Sequence, residues 1–189
     1  MKYAFVSLTR AYAREIVESW KYEEPYSIDD YANEAVHMLD PDAWGVGLSA
    51  VLDEEGSLVG EVSIEFFDEN ERHTDYAQYG DDVLMNAREP WIGFGLRPDL
   101  VGRGRGADFA SSCADFAVER FNYRGETIRL GVARFNERAV KAYSRAGFSV
   151  FEQVTGKIAG REFACIYMRK QVWPAAPPGA VRGEIGAGF

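Results

Sequence analysis

A glycine-rich segment in the middle of the chain has the residue types that bind an anion. It runs from Leu96 to Ala107 between a predicted strand and a predicted helix, with glycines at positions 102, 104 and 106. Glycines let the backbone turn so that its N–H groups converge, and the positive end of the helix dipole points at the same place. Arg103 and Arg105 add positive charge within an acidic chain. The segment therefore predicts a binding site for a diphosphate.

Other interpretations of this loop are weaker or leave it without a ligand. It lacks the Lys-Ser/Thr pair of a nucleoside-triphosphate loop. It follows the fourth predicted strand, whereas a dinucleotide fingerprint follows the first strand of a βαβ unit. Taken alone, the spacing also fits a glycine-rich connection that binds nothing.

A second segment, from Asn136 to Phe148, has the spacing of a short helix with one distinct face. Asn136 precedes the helix, and Ala139 and Tyr143 lie four residues apart on one side of it. Gly147 ends the helix before the next strand begins. A helix and one strand separate this segment from the glycine-rich loop.

The two segments together resemble the GNAT family of N-acetyltransferases. That family has a strand ending in apolar-x-Pro, an Arg/Gln-x-x-Gly-x-Gly/Ala pyrophosphate loop that opens a helix, and later an Asn-x-x-Ala-x-x-x-Tyr-x-x-x-Gly-Phe helix. Here the motifs occupy residues 96–98, 101–106 and 136–148, and the element order agrees from about residue 2 to residue 170. One position departs from the pattern: Val101 stands where the family has Arg or Gln, and its side chain cannot donate a hydrogen bond.

The resemblance implies that acetyl-CoA is the acyl donor and that no metal takes part. Loop amides would hold the diphosphate in spite of Val101, with the cofactor lying in a cleft between two splayed strands. The positions implied to contact it are Leu96, Val101, Gly102, Arg103, Gly104, Arg105, Gly106, Ala107, Asn136, Ala139 and Tyr143.

Acetyl transfer to an amine needs a neutral nucleophile, a donor to the carbonyl oxygen and a proton for the departing thiolate. By resemblance, the backbone N–H of Leu96 is that donor and Tyr143 is the general acid. Asn136 is implied to hydrogen-bond the pantetheine arm or an ordered water. An amphipathic helix also buries tyrosines for packing, which is the other interpretation of Tyr143.

The general base is less clear from the sequence. Glu61 and Glu65 share the acidic face of the third predicted strand, and Glu89 lies just before the fourth, close to a glutamate base of some family members. Each carboxylate could equally be solvated at a strand edge, and a water chain could replace it. We take Glu89 as the candidate base.

Residues 20–26 lie between the first two predicted helices, which the family places beside its acceptor. Trp20, Glu24 and Tyr26 are the candidate substrate residues, because aromatic rings and carboxylates suit a cationic amine. Trp20 could equally anchor the first helix in the core. The acidic stretch 68–90 could add to a negative entrance or simply keep the protein soluble.

We therefore expect an N-acetyltransferase that moves the acetyl group of acetyl-CoA to a primary amine of a small molecule or peptide. The alternative is a non-catalytic acyl-CoA-binding module of the same fold, because Val101 departs from the pattern and no base is clear. Nucleotide-phosphate binding without acyl chemistry would leave residues 136–148 unexplained.

Composition and charge indicate the number of domains, the excluded partners, the location and the state of the cysteines. The chain has 189 residues, of which 47% are hydrophobic and 27% charged, typical of one folded domain. A net charge of −9 argues against nucleic acid or an anionic membrane as a partner. No apolar run approaches the roughly 20 residues that span a bilayer, and the first residues are too polar for a signal peptide, so the cytoplasm is the expected location. Cys113 and Cys165 are expected to be buried thiols.

An α/β fold must position these segments. Apolar alternation predicts strands at 3–8, 45–52, 58–67, 91–96, 127–133, 148–155 and 162–169. Helical spacing predicts helices after Thr9, after Ser27 with Asp30 as a capping box, at 107–121 and after Asn136. This order predicts a mixed sheet with helices on both faces. The resemblance makes it a mostly antiparallel sheet of six to seven strands, splayed between strands four and five.

The chain is expected to form a single domain over residues 1–172, followed by a Pro/Gly-rich tail at 173–189. The last predicted strand is exposed, and Trp173 and Phe189 put apolar side chains at the ends of the tail. These features allow a homodimer.

Overall fold

The structure, a computed structural model, describes residues 2–44, 47–67, 73–74, 89–158 and 161–172. Its strands are β1 Ala4–Ser7, β2 Ser49–Leu52, β3 Leu58–Phe67, β4 His73–Thr74, β5 Trp91–Leu96, β6 Thr127–Ala133, β7 Ser149–Ile158 and β8 Arg161–Gln171. They form one sheet in the spatial order β1-β2-β3-β5-β6-β8-β7, and the short β4 pairs with β3. Neighbouring strands are antiparallel except β5 and β6, which are parallel.

Helices cover both faces of this sheet. They are α1 Arg10–Ser19, α2 Ala35–Leu39, α3 Gly106–Arg120 and α4 Glu137–Arg145, with short 3-10 turns at Tyr26–Asp29, Tyr31–Glu34, Pro41–Ala43 and Pro98–Leu100. One core lies under α1 and α2, and a larger one lies under α3 and α4. In α3 the residues buried against the sheet include Ala110, Ala114 and Ala117, whose small side chains permit close packing. The predicted fold class is confirmed.

The sheet opens between β5 and β6, which are the fourth and fifth strands of the sequence prediction. Their register consists of the single pair Trp91–Arg129, where the N–H of Arg129 donates to the carbonyl of Pro90 at 3.0 Å. Towards the C-terminal ends of both strands the described residues form no further rung. The predicted splay is thus present, and it leaves a wedge-shaped gap in the sheet.

The region after α1 differs from its prediction. Thr9 caps α1 as expected, since its hydroxyl accepts from the N–H of Tyr12 at 3.2 Å. The predicted capping box is wrong: Ser27 donates to Glu24 at 2.6 Å, and the Asp30 carboxylate accepts from an earlier N–H. Both side chains thus bond to residues earlier in the chain and do not cap a helix that would begin at Ser27. The chain forms two 3-10 turns there before α2 begins.

Other predicted boundaries shift by a few residues. β2 begins at Ser49, and residues 45–46 of its predicted range lie outside the described residues. β7 and β8 extend towards each other beyond the predicted ranges 148–155 and 162–169, so Gly156, which lies between those ranges, is paired with Phe163. Most of the acidic stretch 68–90 and the whole tail 173–189 lie outside the described residues. Cys113 and Cys165 are buried and free.

Candidate active site

The gap between β5 and β6 is lined by backbone groups of β5. The N–H of Arg97 donates to the carbonyl of Val59 at 2.8 Å, so antiparallel alternation turns the N–H groups of Phe94 and Leu96 away from β3. The carbonyl of Leu96 points to the same side and accepts from the Tyr22 hydroxyl at 3.0 Å. The N–H of Leu96 is therefore a donor directed into the gap.

A cleft of about 420 Å³ extends from this gap to the start of α3. The two sequence segments that predict a site meet in it, together with one of the three candidate substrate residues, Tyr26. The predicted residues that line the cleft are Leu96, Val101, Gly102, Gly104, Gly106, Ala107, Asn136, Ala139, Tyr143 and Tyr26. The roles assigned to them stay predictions, but the structure brings these residues together.

The glycine-rich loop provides backbone donors at one end of the cleft. Gly102 and Gly104 both have a φ of +77°, a conformation that side chains disfavour. Arg105 is the N-cap of α3, and its side chain makes no capping hydrogen bond, so the first-turn N–H groups lack an internal partner. The N–H of Val101 is used within the loop, where it donates to Pro98 at 3.2 Å. The donors available to an anion therefore begin after Val101.

Gly106 also brings two helices together. A Cβ atom at this position would lie 3.0 Å from the Cβ of Ala142 on α4, closer than side chains normally pack. Glycine at 106 and alanine at 142 therefore allow α4 to approach the N-terminus of α3. This contact places the face of α4 that carries Tyr143 on the wall of the cleft.

Tyr143 extends from α4 towards the gap. Its ring packs edge-on against Phe94, with centroids 5.2 Å apart. Burial, and secondarily the charge of Asp29, raises the pKa of the Tyr143 phenol, so the hydroxyl stays protonated at neutral pH. Among the described residues the hydroxyl has no hydrogen-bond partner, and it is free to donate to a ligand in the cleft.

Asn136 has a more constrained position than the sequence suggested. Its Oδ1 accepts from the N–H of Ala139 at 3.2 Å and caps α4, and its Nδ2 donates to Asp29 Oδ2 at 3.3 Å. The two bonds fix the orientation of the amide. A ligand in the cleft can therefore meet Asn136 only through its remaining Nδ2 hydrogen or Oδ1 lone pair.

The positive charges of the cleft are not those predicted. Arg103 and Arg105 do not line it, whereas Arg138, Lys141 and Arg145 do. These three side chains lie at i, i+3 and i+7 of α4 and thus share one helix face. That spacing was visible in the sequence and would have identified them.

Glu89, the candidate base, lies outside the cleft. Arg169 forms an ion pair with it and donates from Nη2 to Oε2 at 2.6 Å, and the Thr127 hydroxyl donates to Oε1. Both carboxylate oxygens thus have partners in the sheet. The role of Glu89 as a base stays a prediction without support from its position, and Glu65 is exposed on β3.

Glu61 is not on a solvated face, contrary to the alternation of β3. Its side chain is buried, and Oε1 accepts from the Tyr31 hydroxyl at 2.5 Å. Burial raises the pKa of Glu61 to about 7, although the bonds from Tyr31 and from the N–H of Gly95 oppose the rise. A Cβ at Gly95 would lie 1.9 Å from the Tyr31 oxygen, so glycine is required for this pairing.

The other two candidate substrate residues lie outside the cleft. Trp20 is 1% exposed and packs edge-on against Tyr31 in the core under α1, which favours the anchoring interpretation. Glu24 is exposed and is held by Ser27. Tyr26 does face the cleft, with the Arg138 guanidinium 3.6 Å above its ring.

A second, smaller groove of about 260 Å³ continues from the cleft along β6 and β8. Its walls include Val132, Ala133 and Cys165, and it shares Asp29, Asn136 and Tyr143 with the cleft. Within the described ranges, no group of three or more His, Cys, Asp or Glu side chains is arranged to hold a metal ion. In the same part of the chain, no helix has the length and apolar character needed to cross a membrane.

Comparison with known structures supports the same architecture. A chimera of spermidine N-acetyltransferase SpeG from Vibrio cholerae and hSSAT is 17% identical, with a TM-score of 0.62 over 90% of this chain and 96% of that one. AAC(6')-Ib in complex with ribostamycin and coenzyme A is 14% identical, with a TM-score of 0.64 over 91% and 94%. A putative phosphinothricin N-acetyltransferase is 14% identical, with a TM-score of 0.58 over 90% and 98%.

At these identities the structures show a shared fold. No curated protein sequence matches the chain. The model of the acetyltransferase (GNAT) family matches residues 5–148, which is most of the chain and includes both the glycine-rich loop and α4. The protein therefore belongs to the acetyltransferase (GNAT) family.

Proposed function

We propose that the protein is an N-acetyltransferase that transfers the acetyl group of acetyl-CoA to a primary amine of a small molecule or peptide. The observation that carries this proposal is that a backbone donor, the N–H of Leu96, and a protonated phenol, Tyr143, face one cleft that ends at an uncapped helix N-terminus. Among the similar structures, one is named a spermidine N-acetyltransferase and another holds coenzyme A.

The loop end of the cleft fits the charged part of acetyl-CoA. The first-turn N–H groups of α3 lack a side-chain cap, and a diphosphate would satisfy them. Three basic residues, Arg138, Lys141 and Arg145, line the same cleft. They supply local positive charge in a chain whose net charge is −9. The thioester would then lie towards the gap, near Leu96 and Tyr143.

The transfer step uses these groups in order. The amine, in its neutral form, attacks the thioester carbonyl carbon through its nitrogen lone pair, and the N–H of Leu96 stabilises the negative charge that develops on the carbonyl oxygen. The carbon–sulfur bond then breaks, and the Tyr143 hydroxyl gives its proton to the leaving thiolate. The amine nitrogen loses one proton to water at the open end of the groove, which later returns a proton to Tyr143.

The test measures the release of free thiol from acetyl-CoA in the presence of a panel of primary amines. Amine-dependent release above the hydrolytic background, with an acetylated amine as the product, is the expected result.

The alternative is a non-catalytic acyl-CoA-binding module, favoured by Val101 and by the engagement of Glu89 with Arg169. It would be established if acetyl-CoA raised the melting temperature while no amine increased thiol release.

A further inference from the structure

Two cavities meet at three side chains. The cleft of about 420 Å³ and the groove of about 260 Å³ share Asp29, Asn136 and Tyr143. If acetyl-CoA occupies the cleft as proposed, the groove is the path on which a second molecule reaches the thioester from the far side of Tyr143. The shared residues then lie where donor and acceptor meet.

Asp29 is the one charged residue among those that line the groove, all of which belong to the described part of the chain. The remaining lining is uncharged: Val132, Ala133 and Cys165 are its apolar part, and an asparagine and two tyrosines are its polar part. Arg138, whose positive charge acts on Asp29, has its guanidinium stacked on the ring of Tyr26. The groove therefore carries one carboxylate, Asp29, at the place where it joins the cleft.

The Asp29 side chain is oriented by α4. Oδ2 accepts from Asn136 Nδ2 at 3.3 Å, and Asn136 is itself fixed by its capping bond to Ala139. The second oxygen, Oδ1, accepts no hydrogen bond from the described residues. Desolvation raises the pKa of Asp29, whereas the hydrogen bond from Asn136 and the charge of Arg138 lower it, and the residue stays exposed to solvent.

We infer that Asp29 is the acceptor-binding residue: its free oxygen accepts a hydrogen bond from the nitrogen of the incoming amine and directs that nitrogen to the gap beside Tyr143. The substrate class that fits is a primary amine on a slender apolar chain, without an anionic group near the nitrogen. This inference rests on the proposed function, because it assigns the acceptor side of that same site.

Asp29→Asn tests it, with the exposed Asp115→Asn on α3 as the matched control. Linear alkylamines and arylalkylamines serve as acceptors, each beside the amino acid that carries an added carboxylate. The variant should raise KM for the amines about 10- to 100-fold, the effect of one charged hydrogen bond, while the Kd of acetyl-CoA stays unchanged. Asp29→Glu, which keeps the charge, should restore much of the loss, and the amino acids should be poor acceptors of the native protein.

The outcomes separate the two proposals. If the native protein acetylates amines and Asp29→Asn leaves their KM unchanged, the acceptor role of Asp29 is wrong and the proposed function stands. An equal loss of acetyl-CoA affinity would also overturn the role, because Asp29 would then serve the donor side. If the native protein acetylates no amine, the proposed function fails and the inference fails with it. Melting temperatures of both Asp29 variants establish that they are folded.

Discussion

The Tyr31 hydroxyl donates to Oε1 of Glu61 across the face of the sheet that lies behind the gap, and Glu61 is only 4% exposed. Glu61 is paired in register with Gly95, the residue before Leu96. The buried carboxyl of Glu61 thus lies next to the C-terminal end of β5, where the N–H of Leu96 is directed into the cleft. Neither Glu61 nor Tyr31 lines the cleft, and both contact Gly95 of β5.

Replacing Glu61 by Gln should change how stability depends on pH. Because burial raises the pKa of Glu61 from 4.5 to about 7, the folded protein keeps a proton that the unfolded chain has lost between these values. Its contribution to the free energy of unfolding therefore falls as the pH rises through this window and then levels off. The difference in the free energy of unfolding between Glu61→Gln and the native protein should therefore increase, in favour of the variant, by up to about 3 kcal/mol from pH 5 to pH 8.

Urea unfolding at several pH values measures this difference. A constant gap between the native protein and Glu61→Gln across the window would mean that Glu61 titrates normally and is ionised in its buried position. The exposed Glu65→Gln, on the same strand, controls for the general charge effect.

Tyr143→Phe should lower kcat about 10²- to 10⁴-fold, because it removes the hydroxyl that we propose as the proton donor for the leaving thiolate. The affinity for acetyl-CoA should change little, since the ring keeps its edge-on contact with Phe94. Steady-state kinetics and calorimetric titration give the two quantities. Tyr12→Phe on α1 is the control, and a parallel loss of kcat and acetyl-CoA affinity would make Tyr143 a packing residue.

Gly104→Val should weaken acetyl-CoA binding about 100-fold or more, the cost of losing one or two charge-assisted hydrogen bonds to the loop. Gly56→Val is a close control, because Gly56 has a φ of +78°, against +77° for Gly104, and neither has atoms near its missing Cβ. Both variants should lose a similar stability of about 1–3 kcal/mol from backbone strain. Unchanged acetyl-CoA affinity in Gly104→Val would remove the loop from the binding site.

Glu89→Gln should reduce stability more than activity. The substitution breaks the ion pair with Arg169 in a partly buried position, at a cost of about 1–2 kcal/mol, and it leaves the cleft unaltered. Thermal unfolding and kcat across a pH series measure the two effects. A fall in kcat of about 10² or more, together with loss of the acidic limb of the pH profile, would show that Glu89 is the base after all.

Much of the fold followed from local signals in the sequence. The bounds of β5 and β6 agree with apolar alternation, and the caps Thr9 and Asn136 make the hydrogen bonds expected of them. These features depend on residues close together in the chain. The glycine-rich loop was recognised for the same reason, because backbone positions with positive φ favour glycine and the start of a helix is visible in the local sequence.

No local feature of the sequence indicated that Glu61 is buried. Alternation shows which residues of β3 share a face, but not whether another element covers that face. The 3-10 turn that carries Tyr31 covers Glu61 and leaves Glu65, four residues on, exposed. Likewise, Asp29 gains its place only because the turn Tyr26–Asp29, which it ends, and α4, over a hundred residues later, come together at Asn136.

The contact between Gly106 and Ala142 fixes the position of α4 relative to the N-terminus of α3. The residue that opens α3, where a diphosphate would bind, touches the residue next to Tyr143 on α4. A larger side chain at either position would push α4 away from α3 and would move Tyr143 with it. The distance between Tyr143 and the N-terminus of α3 is therefore set by the small size of these two residues.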